Sequence, residues 1–451
     1  MFEKVLVANR GEIAVRVIRA LREMGIASVA VYSEADRDSL HVMLADEAIC
    51  IGPAASSDSY LNMEAVISAA VASKAQAIHP GYGFLSENEK FASLCETCGI
   101  KFIGPSSQVI ARMGNKSEAK NTMIKAGVPV VPGSREPIYS PKEAKRIAKK
   151  TGYPVMIKAA LGGGGKGMRV AESEDRLEEM FLAAQFETRK AFGDDTMYIE
   201  RYVKDPRHIE VQILADSHGN VIHLGERDCS IQRRHQKVLE ESPCENISPA
   251  LRSKLGRTAV KAAKAVGYEN AGTIEFLLEP NGKFYFMEMN TRVQVEHPVT
   301  ELVSGVDIIK EQIRIAAGEK LSFTQKDIRL SGHAIECRIN AESPERGFMP
   351  SPGTITNLHF PGGNGIRIDT HVYQGYKLPP YYDSMIAKLI AYGKDRDEAV
   401  RKLRSALGET IIDGIDTNID FAYELIKSPA FEKGHIDTGF IEKHFPKYLK
   451  K

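Results

Sequence analysis

The segment Thr273-Ile-Glu-Phe-Leu-Leu-Glu-Pro-Asn-Gly-Lys-Phe-Tyr-Phe-Met-Glu288 constrains the chain more than any other. Asn281-Gly282 between two apolar runs is the strongest short-range hairpin signal, because both residues tolerate the positive φ of a tight primed turn. A two-residue turn sets Glu275 directly opposite Glu288. Opposed side chains lie roughly 5 Å apart at Cβ, where like charges destabilise a hairpin. Protonation, a basic neighbour or a bound cation must relieve that repulsion, and beside a triphosphate Mg2+ (or Mn2+) is the economical answer, since Mg2+ binds through one or two carboxylates plus phosphate oxygens. Beyond Glu288, the polar residues Asn290, Arg292, Gln294 and Glu296 alternate with Met289, Val293 and Val295. Kept extended, the chain carries the polar set on the face of Glu288 and the apolar set toward a core. The face then reads as a metal pole, an anion-binding Arg and Gln, and a terminal carboxylate. Chance alternation on an exposed strand is the competing account, and the facing Glu275 weighs against it.

A second feature points to the same ligand. Leu161-Gly-Gly-Gly-Gly-Lys-Gly167 joins two short strands at about 154–158 and 168–170. It is no Walker A loop, because Lys166 is followed by Gly167 rather than Ser or Thr. A bare-backbone hairpin can still fold over phosphates, with Lys158 as a point charge; a mobile surface hairpin is the alternative. Met197-Tyr-Ile-Glu-Arg-Tyr-Val203 reads as an apolar strand running into a polar turn, as a linker that frames a base would. In His208-Ile-Glu-Val-Gln-Ile213 the period of two puts His208, Glu210 and Gln212 on one face, for which solvent is the default expectation.

The remainder bounds fold and class. At 451 residues several domains are expected. A strand over 4–8, a helix over 12–24 and a strand over 27–32 open a doubly wound α/β domain running to about residue 115. Its first turn, Ala8-Asn-Arg-Gly11, lacks G-x-G-x-x-G and so argues against a nicotinamide dehydrogenase. Helices are expected over 141–150 and 396–407, and a mostly antiparallel region from about residue 201. Sixty basic against 59 acidic residues leave a net charge of +1, disfavouring nucleic acid or an anionic membrane as main partner. Without a signal-like N-terminus or a membrane-length apolar run, the expected location is the cytoplasm. Cys95-Glu-Thr-Cys98 has no second pair to complete a zinc site and reads as two reduced thiols near a helix end.

These residues resemble the ATP-grasp superfamily and, within it, the biotin carboxylases. The resemblance runs nearly end to end, through Ala8-Asn-Arg-Gly-Glu-Ile-Ala14, His79-Pro-Gly-Tyr-Gly-Phe-Leu-Ser-Glu-Asn88, Gly104-Pro-Ser106, Gly162-Gly-Gly-Gly-Lys-Gly-Met168, Glu226-Arg-Asp-Cys-Ser230, Arg233-Arg-His-Gln-Lys237, the segment 288–300 and Tyr381-Tyr-Asp-Ser-Met385. It implies an α/β chain, α+β overall, with a Rossmann-like domain over 1–115, an ATP-grasp domain over 116–330 with its lid at about 131–203, and a C-terminal domain over 331–451. It implies that ATP meets Lys116, Lys158, Gly164, Gly165, Glu200, Arg201, Tyr202, Val203, His208, Gln232, His235 and Leu277. Glu275, Glu288 and Asn290 would hold the divalent ions. Lys237, Arg292, Gln294 and Val295 would bind bicarbonate, Glu296 would deprotonate it, and Tyr82 with Arg338 would meet the biotin ureido ring. From sequence pattern alone, Arg338 reads as a surface salt-bridge residue. Departures from the family are small: Arg201 and Val203 are conservative variants in the linker, and Lys166 replaces Arg.

The implied activity is ATP-dependent carboxylation of biotin, the first half-reaction of acetyl-CoA carboxylase, leading to malonyl-CoA for fatty acid synthesis. No Ala-Met-Lys-Met-like attachment site occurs in the sequence, so biotin is expected on a separate biotin carboxyl carrier protein, with carboxyltransferase subunits downstream. A homodimer is implied, with Arg19 and Glu23 on its surface. The nearest alternative is the carboxylase subunit of a two-subunit pyruvate carboxylase or another acyl-CoA carboxylase. More distant are another ATP-grasp ligase, disfavoured by Arg292, Gln294 and Arg338, and a non-catalytic ATP-sensing module, disfavoured by the intact Glu296 and both metal carboxylates.

Overall fold

The computed structural model describes residues 1–159 and 167–449. The first strand, Lys4–Val7, has Val5, Leu6 and Val7 without exposed surface, as a strand covered on both faces requires. It lies inside a five-stranded parallel sheet ordered Glu47–Cys50, Ala27–Tyr32, Lys4–Val7, Ala77–His79, Lys101–Phe102. Strand order reverses at Lys4–Val7, the switch point where such sheets place functional loops. The turn after it clasps protein rather than phosphate. Asn9 Nδ2 donates to the carbonyls of Pro80 and Tyr82 at 2.7 Å each, so the loop missing the dinucleotide fingerprint positions Tyr82. The helix Gly11–Glu23 follows as expected.

A small unit with its own core comes next. Three antiparallel strands, Arg169–Ala171, Val155–Ala159 and Met197–Arg201, pack with the helices Pro141–Thr151 and Glu174–Phe192 around Ile138, Ile157, Phe181 and Ile199. The second of these helices, 19 residues long, is not among the elements expected from the sequence. At Gly133 a Cβ would stand 2.2 Å from the Ile199 carbonyl oxygen, so only glycine lets the connecting chain pass the edge of this sheet. Gly164, Gly165 and Lys166 lie outside the described residues.

An eight-stranded antiparallel sheet forms the body, ordered Phe284–Asn290, Asn270–Leu278, Arg207–Ala215, Val221–Arg233, Gln236–Ser242, His333–Asn340, Met385–Gly393, Ile366–Thr370. Strands from both sides of residue 330 thus share one sheet and one core, in which Ile231, Val238 and Leu239 pack with Ile335, Leu389 and Phe421. The helix Arg396–Glu409 covers it. Cys95 is buried in the helix Glu89–Thr97, and exposed Cys98 caps that helix; both are free thiols. Among the described residues no helix is long and apolar enough to cross a membrane.

Candidate active site

The hairpin delivers the expected carboxylate pair by a different route. Its loop holds three residues, Pro280, Asn281 and Gly282, closed by Glu279 N–H donating to the Lys283 carbonyl at 2.8 Å. The register is therefore offset by one at Leu278↔Phe284, Leu277↔Tyr285 and Phe276↔Phe286. An extra residue at Met287 then bulges the second strand and restores Glu275↔Glu288 and Thr273↔Asn290. The extended reading fails past this point. The strand stops at Asn290, and residues 291–296 bend and turn into the helix His297–Ser304. Arg292, Gln294 and Glu296 still reach the same space, because the bends between them keep Val293 in the core.

That space is a cleft of about 1130 Å³ between the small unit and the large sheet. Its walls bring together Tyr82, Lys116, Lys158, Glu200, Arg201, Tyr202, Val203, His208, Gln232, His235, Lys237, Glu275, Leu277, Glu288, Asn290, Arg292, Gln294, Val295, Glu296 and Arg338. Gly164 and Gly165 are the only site residues expected from the sequence that cannot be placed, both lying outside the described residues.

At one pole, Glu275 is buried and accepts from Asn290 Nδ2 at 2.7 Å and Gln294 Nε2 at 2.8 Å, with His208 Nε2 at 2.7 Å and Lys237 Nζ at 3.2 Å. Burial works against its charge, but Lys237 and His208 prevail and hold the carboxyl well below the usual range. Glu288 is exposed and opens into the cleft. The protein crowding its stem, and then Glu275, push its pKa up. A carboxylate set against an ionised one makes a site that wants a cation, and two carboxylates with an amide oxygen nearby suit Mg2+ or Mn2+ sharing ligands with phosphate.

Next to Glu275, through the shared Lys237, anions and cations lie at contact. Lys237 Nζ lies 2.6 Å from Glu296 and 2.7 Å from Glu210. Arg338 Nη2 lies 3.0 Å from Glu296 and 2.5 Å from Glu240. Burial opposes the charge of Glu296, yet Lys237, Arg338 and Arg227 keep its pKa well below normal. Arg292 donates to Glu87 at 2.8 Å and to the Asn290 side-chain oxygen at 3.1 Å. The Val295 carbonyl accepts from Lys388 Nζ at 2.8 Å. Arg338 is therefore no surface residue; its guanidinium lines the cleft between two buried carboxylates. The strand carrying His208, Glu210 and Gln212 is likewise buried, at 6%, 0% and 0% exposure, against the solvated face its alternation suggested.

Where the small unit meets the cleft, Glu200 is bound by Lys120 at 2.9 Å and Lys158 at 2.6 Å. Burial would raise its carboxyl, but the two lysines hold it at about 2. Gln232 Nε2 meets His208 Nδ1 at 2.7 Å and donates to the Cys229 carbonyl at 2.8 Å. His235 projects from a two-residue hairpin turn in which it and Arg234 both have positive φ (65° and 49°). Arg201 Nη2 pairs with Glu279 at 2.6 Å, tying the small unit to the carboxylate hairpin. The Tyr82 hydroxyl is spent on Glu12, so its ring is what it offers the cleft.

Several residues escape the sequence reading. Lys120 carries no local signal, and Glu87 stands inside a motif of the family resemblance that assigns it no part. Arg227, fully buried, pairs with Glu210 and donates to Gln294 at 2.7 Å, Gln212 at 2.8 Å and Thr300 at 2.9 Å. It stands inside a motif of the family resemblance, which assigns it no part. Lys388 is legible in principle, as a lone charge in the apolar run Met385-Ile-Ala-Lys-Leu-Ile-Ala391.

A Rossmann-like domain followed by a small antiparallel lid and a large antiparallel sheet, with paired carboxylates in the cleft between them, defines an ATP-grasp enzyme. Residues 1–110 match the biotin carboxylase N-terminal domain, 115–324 the carbamoyl-phosphate synthase L chain ATP-binding domain, and 336–443 the biotin carboxylase C-terminal domain. The biotin carboxylase of Nostoc sp. is 58% identical over 98% of this chain and 99% of its own length. A pyruvate carboxylase subunit of Methanothermobacter thermautotrophicus is 56% identical over 98% of this chain and 90% of its own. The biotin carboxylase domain dimer of Hydrogenobacter thermophilus 2-oxoglutarate carboxylase, solved with MgADP, ADP and bicarbonate, superposes with a TM-score of 0.94 at 52% identity, covering 100% of this chain and 99% of that one. The chain belongs to the biotin carboxylase family.

Proposed function

We propose that this protein uses ATP and bicarbonate to carboxylate biotin borne on a separate carrier protein. The observation that carries this reading is the Glu296 carboxylate, buried in the cleft between Lys237 and Arg338, with the Glu275–Glu288 pair on the far side of the same Lys237 ammonium. Lys116, Lys158, the Gly164-Gly165 backbone and His208 contact the phosphates or the ribose. Glu200 to Val203, Gln232, His235 and Leu277 frame the adenosine. Glu275, Glu288 and Asn290 would hold a divalent ion, which would supply neutralisation of charge on the transferring phosphoryl group. Lys237, Arg292, Gln294 and the Val295 backbone fix bicarbonate, whose proton Glu296 removes as its oxygen attacks the γ-phosphorus and the bond to the bridging oxygen breaks to release ADP. The carboxyphosphate so formed releases CO2 and phosphate in a site closed to water. The phosphate takes the ureido N1 proton, N1 attacks the carbon of CO2 to give carboxybiotin, and Arg338 offsets the charge on the ureido oxygen beside the ring of Tyr82.

The units at 1–115, 116–330 and 331–451, with the lid at about 131–203, belong to this proposal, as do a cytoplasmic location, a homodimer, and a biotin carboxyl carrier protein and carboxyltransferase subunits as partners. Acetyl-CoA is the proposed final acceptor, giving malonyl-CoA; the pyruvate carboxylase relative makes pyruvate the second reading. The test is ATP cleavage by the purified protein. With Mg-ATP and bicarbonate, free biotin should accelerate ADP release, and a rate indifferent to both biotin and bicarbonate would sink the reading. Transfer from the carboxylated carrier to acetyl-CoA or pyruvate, with each carboxyltransferase supplied, separates the two acceptors.

A further inference from the structure

Behind the cleft lies a buried pair of carboxyls for which the proposed chemistry has no use. Glu240 and Glu336 face each other across the strands Gln236–Ser242 and His333–Asn340, and neither exposes any surface. Among the described residues, both oxygens of Glu336 and Oε2 of Glu240 lack a hydrogen-bond partner. Glu240 Oε1 is the acceptor for Arg338, from Nε at 2.7 Å and Nη2 at 2.5 Å, while the same Nη2 reaches Glu296 Oε2 at 3.0 Å. One guanidinium thus bridges the cleft carboxylate and a carboxylate outside the cleft. Glu240 is faced by Arg338 and Glu336 from one neighbouring strand, Glu296 from the cleft loop, Lys237 on its own strand, and Cys229 from the strand Val221–Arg233. Beyond Glu336 stands Lys388.

Consider what happens to Arg338 when Glu296 takes the proton of bicarbonate. The carboxylate becomes a carboxylic acid, and half of the charge compensation of the guanidinium disappears. A buried cation that loses a partner is costly and is free to move toward another anion. We propose that Glu240 is a positioning residue, which holds Arg338 in place once Glu296 is protonated so that its cleft-facing N–H groups pass to the ureido oxygen of biotin. This rests on the function proposed above and adds a sequence to it. Proton uptake by the base releases the group that receives the second substrate, so carboxyl transfer follows bicarbonate activation.

The experiment measures ADP and carboxybiotin together, using the full chain with Mg-ATP, bicarbonate and free biotin. Wild type must first show bicarbonate- and biotin-dependent turnover; without it the parent function fails, and Glu240 is not at issue. Given that turnover, Glu240→Gln should leave bicarbonate-dependent ATP cleavage without biotin within about threefold. Its carboxybiotin formed per ADP should fall ~10–100-fold, the usual effect of removing an orienting partner. Glu336→Gln is the control, since it alters the facing carboxyl, which burial shifts upward against the pull of Lys388, without removing a hydrogen-bond partner of Arg338. A second arm needs no variant. Burial, against the pull of Arg338, lifts Glu240 to about 7. The wild-type ratio of carboxybiotin to ADP should therefore fall as pH drops through about 7, while that of Glu240→Gln stays low and flat. A Glu240→Gln ratio equal to wild type, an equal loss in Glu336→Gln, or a wild-type ratio constant from about pH 8 to 6 would overturn the proposal.

Discussion

Replacing Glu288 by Gln should make the nucleotide-free protein more stable and the nucleotide-bound protein less so. With the roughly 5 Å Cβ spacing of opposed strand residues taken as the charge separation, two carboxylates repel by roughly 3 kcal/mol at an effective dielectric of ~20, and by about 0.8 kcal/mol in bulk water. Glu288 opens into solvent, so the lower end governs, and relief of the repulsion contributes ~1 kcal/mol. For a chain of this size that is a rise of about 1–3 °C in melting temperature. The sign follows the shift. Glu288 has its folded pKa raised, so the folded state binds the proton more tightly than the unfolded chain, and ionised Glu288 lowers stability above the carboxylate range. The advantage of Glu288→Gln should accordingly be full near pH 7 and vanish as pH falls and Glu288 protonates. Mg-ADP reverses the order. At a hundredfold excess over Kd, ligand adds ~2.7 kcal/mol to the wild type, and a variant short of one metal carboxylate should gain less than half of that. Thermal scans of both proteins with and without Mg-ADP check it. A variant that melts below wild type without nucleotide, or that keeps the whole Mg-ADP increment, would refute the electrostatic account of the pair.

Glu296→Gln should cut bicarbonate-dependent turnover ~10²–10⁴-fold while leaving ADP affinity within a few fold, as expected of a lost general base; calorimetry beside steady-state rates checks both. Arg338→Ala should impair carboxybiotin formation more than bicarbonate-dependent ATP cleavage, and equal losses of the two rates would contradict a separate role. Lys388→Met should destabilise the fold by ~3–5 kcal/mol, because it leaves Glu12 and Asp369 without their shared buried cation; chemical unfolding measures it. Stability should also fall steadily below about pH 6. Burial lowers His41 to about 4 and His79 and His371 to about 3. The unfolded chain therefore takes protons that the folded one refuses, at ~1.4 kcal/mol per pH unit for each histidine; melting temperatures between pH 7 and 4 read it directly.

The carboxylate hairpin shows both the reach and the limit of reading the sequence. Asn281-Gly282 correctly places a turn and pairs Glu275 with Glu288, but through two departures that cancel: a three-residue loop, then a bulge at Met287. Alternation cannot reveal a bulge, because one extra residue changes the face without changing the composition. The same blindness extends a strand through residues 291–296, where the chain in fact bends. The polar stripe of His208, Glu210 and Gln212 is legible as a face, but its burial depends on Arg227 and Lys237 arriving from other strands. Local pattern gives the face of a strand; what covers that face is a property of sheet order. Glu240 and Arg338 illustrate the same point, since nearly a hundred residues of sequence separate the two halves of one ion pair.

The cleft also contains a tension that bicarbonate itself resolves. A general base works best with a pKa near the ambient pH, yet Lys237, Arg338 and Arg227 hold Glu296 far below that range. As it stands, Glu296 is a good counter-ion and a weak base. Bicarbonate, however, is an anion, and the cations proposed to bind it are Lys237 and Arg292, both in the cleft wall. Each N–H that turns to bicarbonate is taken from a carboxylate, and Lys237 is already shared among Glu210, Glu275 and Glu296. Binding therefore brings a second negative charge beside Glu296 and dilutes the cations that had suppressed its proton affinity, and both changes raise its pKa. The base is made strong by the arrival of the substrate it deprotonates. Without bicarbonate, Glu296 stays locked to Lys237 and Arg338, a weak base that leaves no room for biotin at the guanidinium.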